Sequence, residues 1–154
     1  MIELFTGLKQ AIAQRRCEVM IEGLPAQVRS KADLRFEVVL RAGPRELRVR
    51  ELRVALEEER LIHLDPGCGE FEFWDTAVRA VLPLPRMLLT ARESARVPVS
   101  LPLPELETTQ ALRRYRLLVI ADVAGINPRA TTFIKVVEAA SPRPMAEGWP
   151  MLPI

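Results

Sequence analysis

The sequence is poor in the residues that build metal centres and disulfide frameworks. Its 154 residues include one histidine, His63, and two cysteines, Cys17 and Cys68. A structural zinc site takes four ligands and a catalytic site three, and one histidine excludes a multi-histidine centre. The two cysteines lie far apart, which favours two reduced thiols and leaves a single disulfide as the alternative. We therefore expect no metal and no cofactor.

The chain also lacks a large excess of positive or negative charge and has few aromatic side chains. The 22 basic and 20 acidic residues leave a net charge of +2, and aromatic residues account for 5% of the chain. A nucleic-acid-binding surface needs a basic face, and a groove for single strands also needs aromatic stacking platforms. The composition therefore argues against nucleic acid as a partner.

Long apolar runs and nucleotide or nucleophile motifs are absent as well. No run approaches the roughly 18 residues that span a bilayer. The N-terminal segment MIELFTGLKQ lacks the long apolar stretch of a secretory signal. The motifs GxGxxG, GxSxG and the P-loop do not occur. These absences predict a cytoplasmic protein without a membrane span.

The residues that are present predict one globular domain with many strands. The hydrophobic content of 49% is that of a chain with a sizeable core. Apolar residues recur every three or four positions from Ile2 to Ile12, which predicts a short N-terminal helix. After Arg16 the period changes to strict alternation in CEVMIEG (17–23), ADLRFEVVLRAG (32–43) and LRVRELRVALEE (47–58). Three such segments in about forty residues are typical of a sandwich or barrel.

The middle of the chain is harder to interpret. The charge run of residues 57–60 is typical of a solvated strand end, and the turn formers in HLDPGCGE (63–70) predict a loop. Phe71 and Phe73 start a strand that an irregular bend then follows. In VPVSLPLP (97–104) all prolines occupy even positions and remove N–H donors from one edge only. This pattern predicts an edge strand, with a polyproline-like connection as the alternative.

The segment RYRLLVIADVAGINPRATTFIKVV (114–137) decides between two architectures. An apolar strand that ends in Asp122 can be the catalytic edge of a parallel α/β sheet or one arm of a hairpin. A parallel unit needs a crossover of about a dozen residues, normally a helix. The linker VAGINPRA is too short and too rich in turn formers, so we predict an antiparallel hairpin. Asp122 then caps the turn by hydrogen bonds to its backbone.

In the first strand of this hairpin, the face that points away from the core is also apolar. Leu118 and Ile120 point away from the predicted core and therefore call for a cover. We divide the chain into a domain at 1–140 and a Pro-rich apolar tail at 141–154. The tail either docks on its own sandwich or on a partner or oligomer mate. The predicted contact residues are Leu118, Ile120, Met145, Trp149, Met151 and Leu152.

The order of these segments resembles a known family, the bacterial sporulation-control proteins of arrestin-like fold. The residues that carry the resemblance are CEVMIEG, KADLRFEVVLRAGPRELRVRELRVALEEE, VPVSLPLPELETT and the final hairpin. The Leu-Pro elements at 101–104, with Thr108 after them, precede that hairpin as they do in the family. The resemblance implies an arrestin-like or immunoglobulin-like antiparallel β-sandwich of about seven strands. Full-length members have two such halves, and this chain has room for one.

Catalytic candidates are few. His63, Asp65 and Cys68 lie within six positions but lack the further ligands or the oriented base that chemistry would need. We interpret His63 as a loop residue and expect no enzyme activity. The expected function is a non-enzymatic protein-interaction or scaffolding module, with a regulatory or stress-related role in bacteria implied by the resemblance. The alternative is a β-sandwich that binds a small ligand or carbohydrate.

Overall fold

The computed structural model describes residues 17–64, 71–125 and 127–138. Within these residues the chain forms nine strands and no helix, so the all-β class is confirmed. The strands are β1 (Cys17–Glu22), β2 (Gln27–Arg29), β3 (Asp33–Ala42), β4 (Leu47–Leu64), β5 (Phe71–Leu84), β6 (Met87–Leu89), β7 (Ser94–Pro102), β8 (Arg113–Val123) and β9 (Arg129–Val137). The predicted helix at residues 2–12 lies outside the described residues.

The strands form two sheets that bury one face each in a common core. The smaller sheet has the order β1-β3-β7 and the larger the order β2-β9-β8-β4-β5, with β6 also beside β4. Leu34 and Val38 of β3 belong to the same buried cluster as Leu117 and Val119 of β8. The arrangement is that of a β-sandwich.

The alternation that predicted the strands also builds the core. In β3, the four predicted inward residues Leu34, Phe36, Val38 and Leu40 are buried, and Arg35 and Glu37 between them are exposed. Burial of one such aliphatic side chain contributes roughly 1.5–3 kcal/mol. A slip of one residue would turn this whole set to solvent, so the pattern fixes the register with β1 and β7.

The final hairpin is antiparallel, as predicted. The register of β8 and β9 runs from Tyr115 opposite Ile134 to Ile120 opposite Arg129. Gly125 in the turn has a φ of 91°, a conformation that glycine adopts without steric cost. The α/β alternative is thereby excluded, because β8 and β9 run in opposite directions.

The proline pattern also predicted the place of β7 correctly. This strand pairs only with β3 among the described residues and forms one edge of the smaller sheet. Val99 and Leu101 are buried, whereas Pro98 and Pro102 are exposed.

Three departures from the predictions concern strand lengths and pairing. β2 pairs with β9 in parallel, and neither β2 nor β6 was predicted, because three residues are too few to show a period. β4 continues to Leu64, so His63 lies in a strand and not in a loop. The irregular bend after Phe73 is a β-bulge at Arg79 within one long strand, β5. No helix in the described ranges is long and apolar enough to cross a membrane.

Candidate interaction surface

The outer face of the larger sheet is the side of β9, β8, β4 and β5 that points away from the core. Side chains on this face stand in rows across the four strands. One row contains Thr131, Leu118, Ala55 and Val81, and the next contains Phe133, Arg116, Glu57 and Val78. The following row brings Arg114, Glu59 and Thr76 together. A row without charged residues is thus followed along the strands by two rows that contain them.

Two glutamates of β4 pair with two arginines of β8 on this face. Arg114 Nε donates to Glu59 Oε2 at 2.5 Å, and Arg116 Nη1 lies 3.4 Å from Glu59 Oε1. Arg116 also donates through Nε to Glu57 at 3.1 Å. The Glu59 side chain is only 5% exposed. Charge-assisted hydrogen bonds are stronger than neutral ones, so this buried carboxylate holds both guanidinium groups in place.

Arg114 is also held by aromatic rings. Its guanidinium carbon lies 3.8 Å from the centroid of the Trp74 ring and 4.9 Å from that of Phe133. A guanidinium within about 6 Å of a ring face is attracted by the ring quadrupole. Trp74 comes from β5 and Phe133 from β9, so Arg114 links the two sides of the sheet. We call Trp74, Arg114, Phe133 and Glu59 the Arg114 cluster.

Large apolar side chains remain exposed in this cluster and beside it. Val78, Val81 and Phe133 are each more than half exposed. Leu118 and Ala55, between them in the rows, are buried although they face away from the core. The outer face therefore combines exposed apolar side chains with ordered arginine and tryptophan side chains.

The predicted contact residues divide into two groups. Leu118 and Ile120 lie on the outer face as expected, the first buried and the second half-buried. Met145, Trp149, Met151 and Leu152 lie outside the described residues, as does the whole tail. The contact role predicted for these six residues stays a prediction.

The sequence interpretation missed the ion pairs. Residues 57–60 were expected to form a solvated strand end, but Glu58 and Glu59 are 3% and 4% exposed. The physical reason for Glu59 is the register, which sets Glu57 and Glu59 opposite Arg116 and Arg114. Glu58 is buried on the other face of β4, where Arg60, Arg79 and Arg113 pair with it. The matching signal in the sequence is the basic run RRYR, which pairs with EEER only once the two strands are aligned.

A second carboxylate is buried on the opposite side of β4. Glu58 accepts hydrogen bonds from Arg60 Nε at 2.8 Å and Arg113 Nε at 3.0 Å, and Arg79 Nε lies 3.5 Å away. Arg113 also forms an ion pair with Glu107. This cluster lies at the end of the core, where charged side chains of both signs take the place of apolar ones. Its carboxylate is fully paired, which is typical of a structural network.

The catalytic candidates are not brought together. Asp122, expected to cap its own turn, accepts a hydrogen bond from Arg50 across the sheet at 3.2 Å. His63 Nδ1 near the end of β4 lies 3.3 Å from Oε1 of Glu72 near the start of β5, and both side chains are exposed. Asp65 and Cys68 lie outside the described residues. Within the part of the chain that the structure describes, no group of three metal-ligating side chains occurs.

Cys17 is buried at the start of β1 and lies in the core. Burial, with a smaller contribution from Glu18, raises the pKa of its thiol to about 11. The reactive form of a cysteine is the thiolate, so this side chain is protonated and unreactive at neutral pH.

A shallow depression lies at the end of the sandwich where β9 stops. It has a volume of about 440 Å³ and is lined by Leu106, Glu107, Thr108, Gln110, Arg113, Val137 and Glu138. Tyr115, an aromatic side chain of the type that binds sugars, is fully buried and donates its hydroxyl hydrogen to the Glu107 carbonyl at 2.6 Å. Burial raises the pKa of Tyr115. Tyr115 is therefore a core residue and not a ligand contact.

Comparison with known proteins gives a likeness in fold. No protein-family model and no curated protein matches the sequence. A β-glucosidase from Listeria innocua has a TM-score of 0.45, 14% identity and coverage of 80% of this chain and 16% of that one. The DNA glycosylase AlkC from Pseudomonas fluorescens has a TM-score of 0.42, 16% identity and coverage of 87% and 36%. Neither carries an argument.

The sporulation control protein Spo0M from Bacillus subtilis is more similar. Its structure matches with a TM-score of 0.67 and 16% identity over 80% of this chain and 49% of that chain. This chain therefore spans about half of the length of Spo0M. It shares its fold with that part of a sporulation-control protein, as the resemblance in the sequence predicted.

Proposed function

We propose that this protein is a non-enzymatic protein-interaction module whose contact surface is the outer face of the larger sheet. The observation that carries the proposal is the Arg114 cluster, in which Phe133 is exposed, with Val78 and Val81 exposed beside it. Val78, Val81 and Phe133 present their apolar surface to solvent on both sides of the ordered guanidinium. Groups of exposed apolar residues on one surface are typical of protein-binding sites.

The composition of the face fits a protein partner. Binding energy at protein interfaces concentrates in a few tryptophan, tyrosine and arginine residues near the centre of the contact. Arg114 already lies against the Trp74 ring, so little side-chain entropy is lost when a partner covers it. Ion pairs with Glu57 and Glu59 hold the neighbouring Arg116 in the same way.

A regulatory role for this interaction is part of the proposal. Support comes from the shared fold with Spo0M, which is described as a sporulation control protein. The location we propose is the cytoplasm, and the partner is another protein or a second copy of this chain. The apolar tail at 141–154 is the other segment we propose for such contacts.

The test is comparative capture from the source organism with quantitative mass spectrometry. The variants are Val81→Asp and Phe133→Asp, which place a charge on exposed positions of the outer face. Ser100→Asp on β7 is the matched control, because it adds the same charge to an exposed position of the smaller sheet. Circular dichroism and thermal unfolding establish that all three variants fold.

We expect the two outer-face variants to lose proteins that the wild type and Ser100→Asp retain. An unchanged set of captured proteins in all four samples would reject the outer face as the contact surface. A set lost with Ser100→Asp alone would place the contact on the smaller sheet.

A further inference from the structure

The edge of the larger sheet at β5 is a second feature with a functional consequence. β5 ends the strand order of that sheet, and among the described residues it pairs with β4 alone. Its side chains from Glu72 to Leu84 are all exposed or half-buried. Every second backbone N–H and C=O of such a strand points away from the sheet, without a ladder partner.

The first half of β5 lacks the devices that protect the edges at β7 and β2. β7 has Pro98 and Pro102 on its outer edge, and β2 is only three residues long. In β5 the bulge at Arg79 and the proline at 83 interrupt the second half of the strand. The first half, residues 71–78, has neither. Eight residues exceed the mean strand length of about five to six.

We propose that residues 71–78 of β5 accept an extended segment of a partner protein as an added strand. The proposal rests on the function proposed above and adds how the partner binds. An added strand forms backbone hydrogen bonds with β5, while its alternate side chains give specificity. On the outer face those side chains lie beside Trp74 and Val78, and there they should be apolar.

The charges of this stretch indicate the chemistry of the segment. Glu72 and Asp75 are both exposed, and residues 71–78 contain no lysine or arginine. Asp75 lies on the face opposite Trp74 and Val78, and an added strand with lysine or arginine beside it gains from a cross-strand pair of opposite charge. A second copy of β5 would instead bring two more carboxylates to the same edge. The occupant is therefore a basic extended segment of a different protein.

The test uses the full-length protein and a synthetic peptide of alternating valine and lysine. Binding is measured by titration calorimetry at low salt, and amide hydrogen exchange reports which residues gain protection. One control peptide has glutamate in place of lysine. Another is N-methylated at all central residues and has no backbone donor on either edge. Asp75→Lys is the protein variant, and Asp33→Lys at an exposed position of β3 is its matched control.

We expect saturable binding of the lysine peptide with protection of alternate amides within 71–78. Asp75→Lys should weaken binding by about five- to tenfold at low salt, whereas Asp33→Lys should not. Binding of the N-methylated peptide with equal affinity would overturn the proposal, and so would no saturable binding of the lysine peptide at millimolar concentration. Protection of these amides in a dimer of the protein alone would assign the edge to a second copy. The capture experiment with the outer-face variants is decided independently of these results.

Discussion

The ion pair between Arg114 and Glu59 lends itself to a double-mutant cycle. The variants are Arg114→Ala, Glu59→Gln and the double variant. Arg114→Ala removes both the 2.5 Å hydrogen bond to Glu59 and the contact with the Trp74 ring. Glu59→Gln removes the negative charge but keeps an amide of the same size.

The expected changes in the free energy of unfolding follow from how deeply Arg114 and Glu59 are each buried. Loss of one partner of a fully buried ion pair costs about 3–5 kcal/mol. Arg114 is 39% exposed and Arg116 still lies 3.4 Å from Glu59, which lowers this cost to about 2 kcal/mol. Loss of the ring contact adds about 0.5–1 kcal/mol. We expect the free energy of unfolding to fall by about 2–3 kcal/mol in Arg114→Ala. In Glu59→Gln it should fall by about 1 kcal/mol, because the Arg114 guanidinium that loses its partner can reach water.

The double variant should be less destabilised than the sum of the two single variants. No buried charge is left without its partner, so we expect a coupling energy of about 1 kcal/mol. The free energy of unfolding is measured by urea denaturation, with the slope unchanged among the four proteins. Additivity of the two single effects to within about 0.5 kcal/mol would refute the reasoning that Glu59 depends on Arg114.

Three further predictions concern the core, a buried thiol and the tail. Leu117→Ala should lower the free energy of unfolding by about 2–5 kcal/mol. Leu112→Ala, at a position that is 61% exposed, should change it by about 0.5 kcal/mol or less. Equal effects of the two substitutions would contradict the assigned burial. Burial raises the pKa of Cys17 from 9.0 to about 11, so the contribution of its neutral thiol to the free energy of unfolding is complete below pH 9. This contribution is lost as the pH rises towards 11, by up to about 3 kcal/mol. Cys17→Ala should lose less stability over this range in denaturation curves, and identical pH profiles of the two proteins would count against the prediction. Deletion of residues 141–154 should convert any dimer to a monomer in light-scattering measurements if the tail binds a second copy. A protein that is monomeric both before and after the deletion favours docking of the tail on its own domain.

Much of the sandwich could be predicted from the sequence because strand periodicity is a local property. The alternation in residues 32–43 predicted both the bounds and the buried face of β3. The short linker after Asp122 predicted the antiparallel hairpin, since chain length alone rules out a crossover helix. Proline spacing predicted the edge position of β7, because each proline removes one donor from a known edge.

Features that depend on alignment between distant strands could not be predicted. Glu57 and Glu59 pair with arginines of β8, which come more than fifty residues later in the sequence. Ion pairing reversed the expected exposure of Glu58 and Glu59. The bulge at Arg79 similarly appears only in the register with β4, and without it β5 looked like a strand followed by a bend.

The candidate site could be predicted only in part. The apolar character of both faces of β8 indicated Leu118 and Ile120, and these residues do lie on the outer face. Trp74, Val78 and Val81 were missed, since their place on the same face follows from the pairing of β5 with β4. The contribution of Phe133 was missed for the same reason, because it depends on the position of Arg114 in the neighbouring strand.

Site-specific photocrosslinking in the source organism tests the interaction function most directly. A benzophenone side chain is placed at position 133 or 81 on the outer face, and at position 100 or 35 on the exposed face of the smaller sheet. We expect crosslinked protein adducts from the first two positions and none from the other two. Adducts from positions 100 and 35 alone, or from no position, would contradict the assignment of the outer face as the surface where this protein meets its partner.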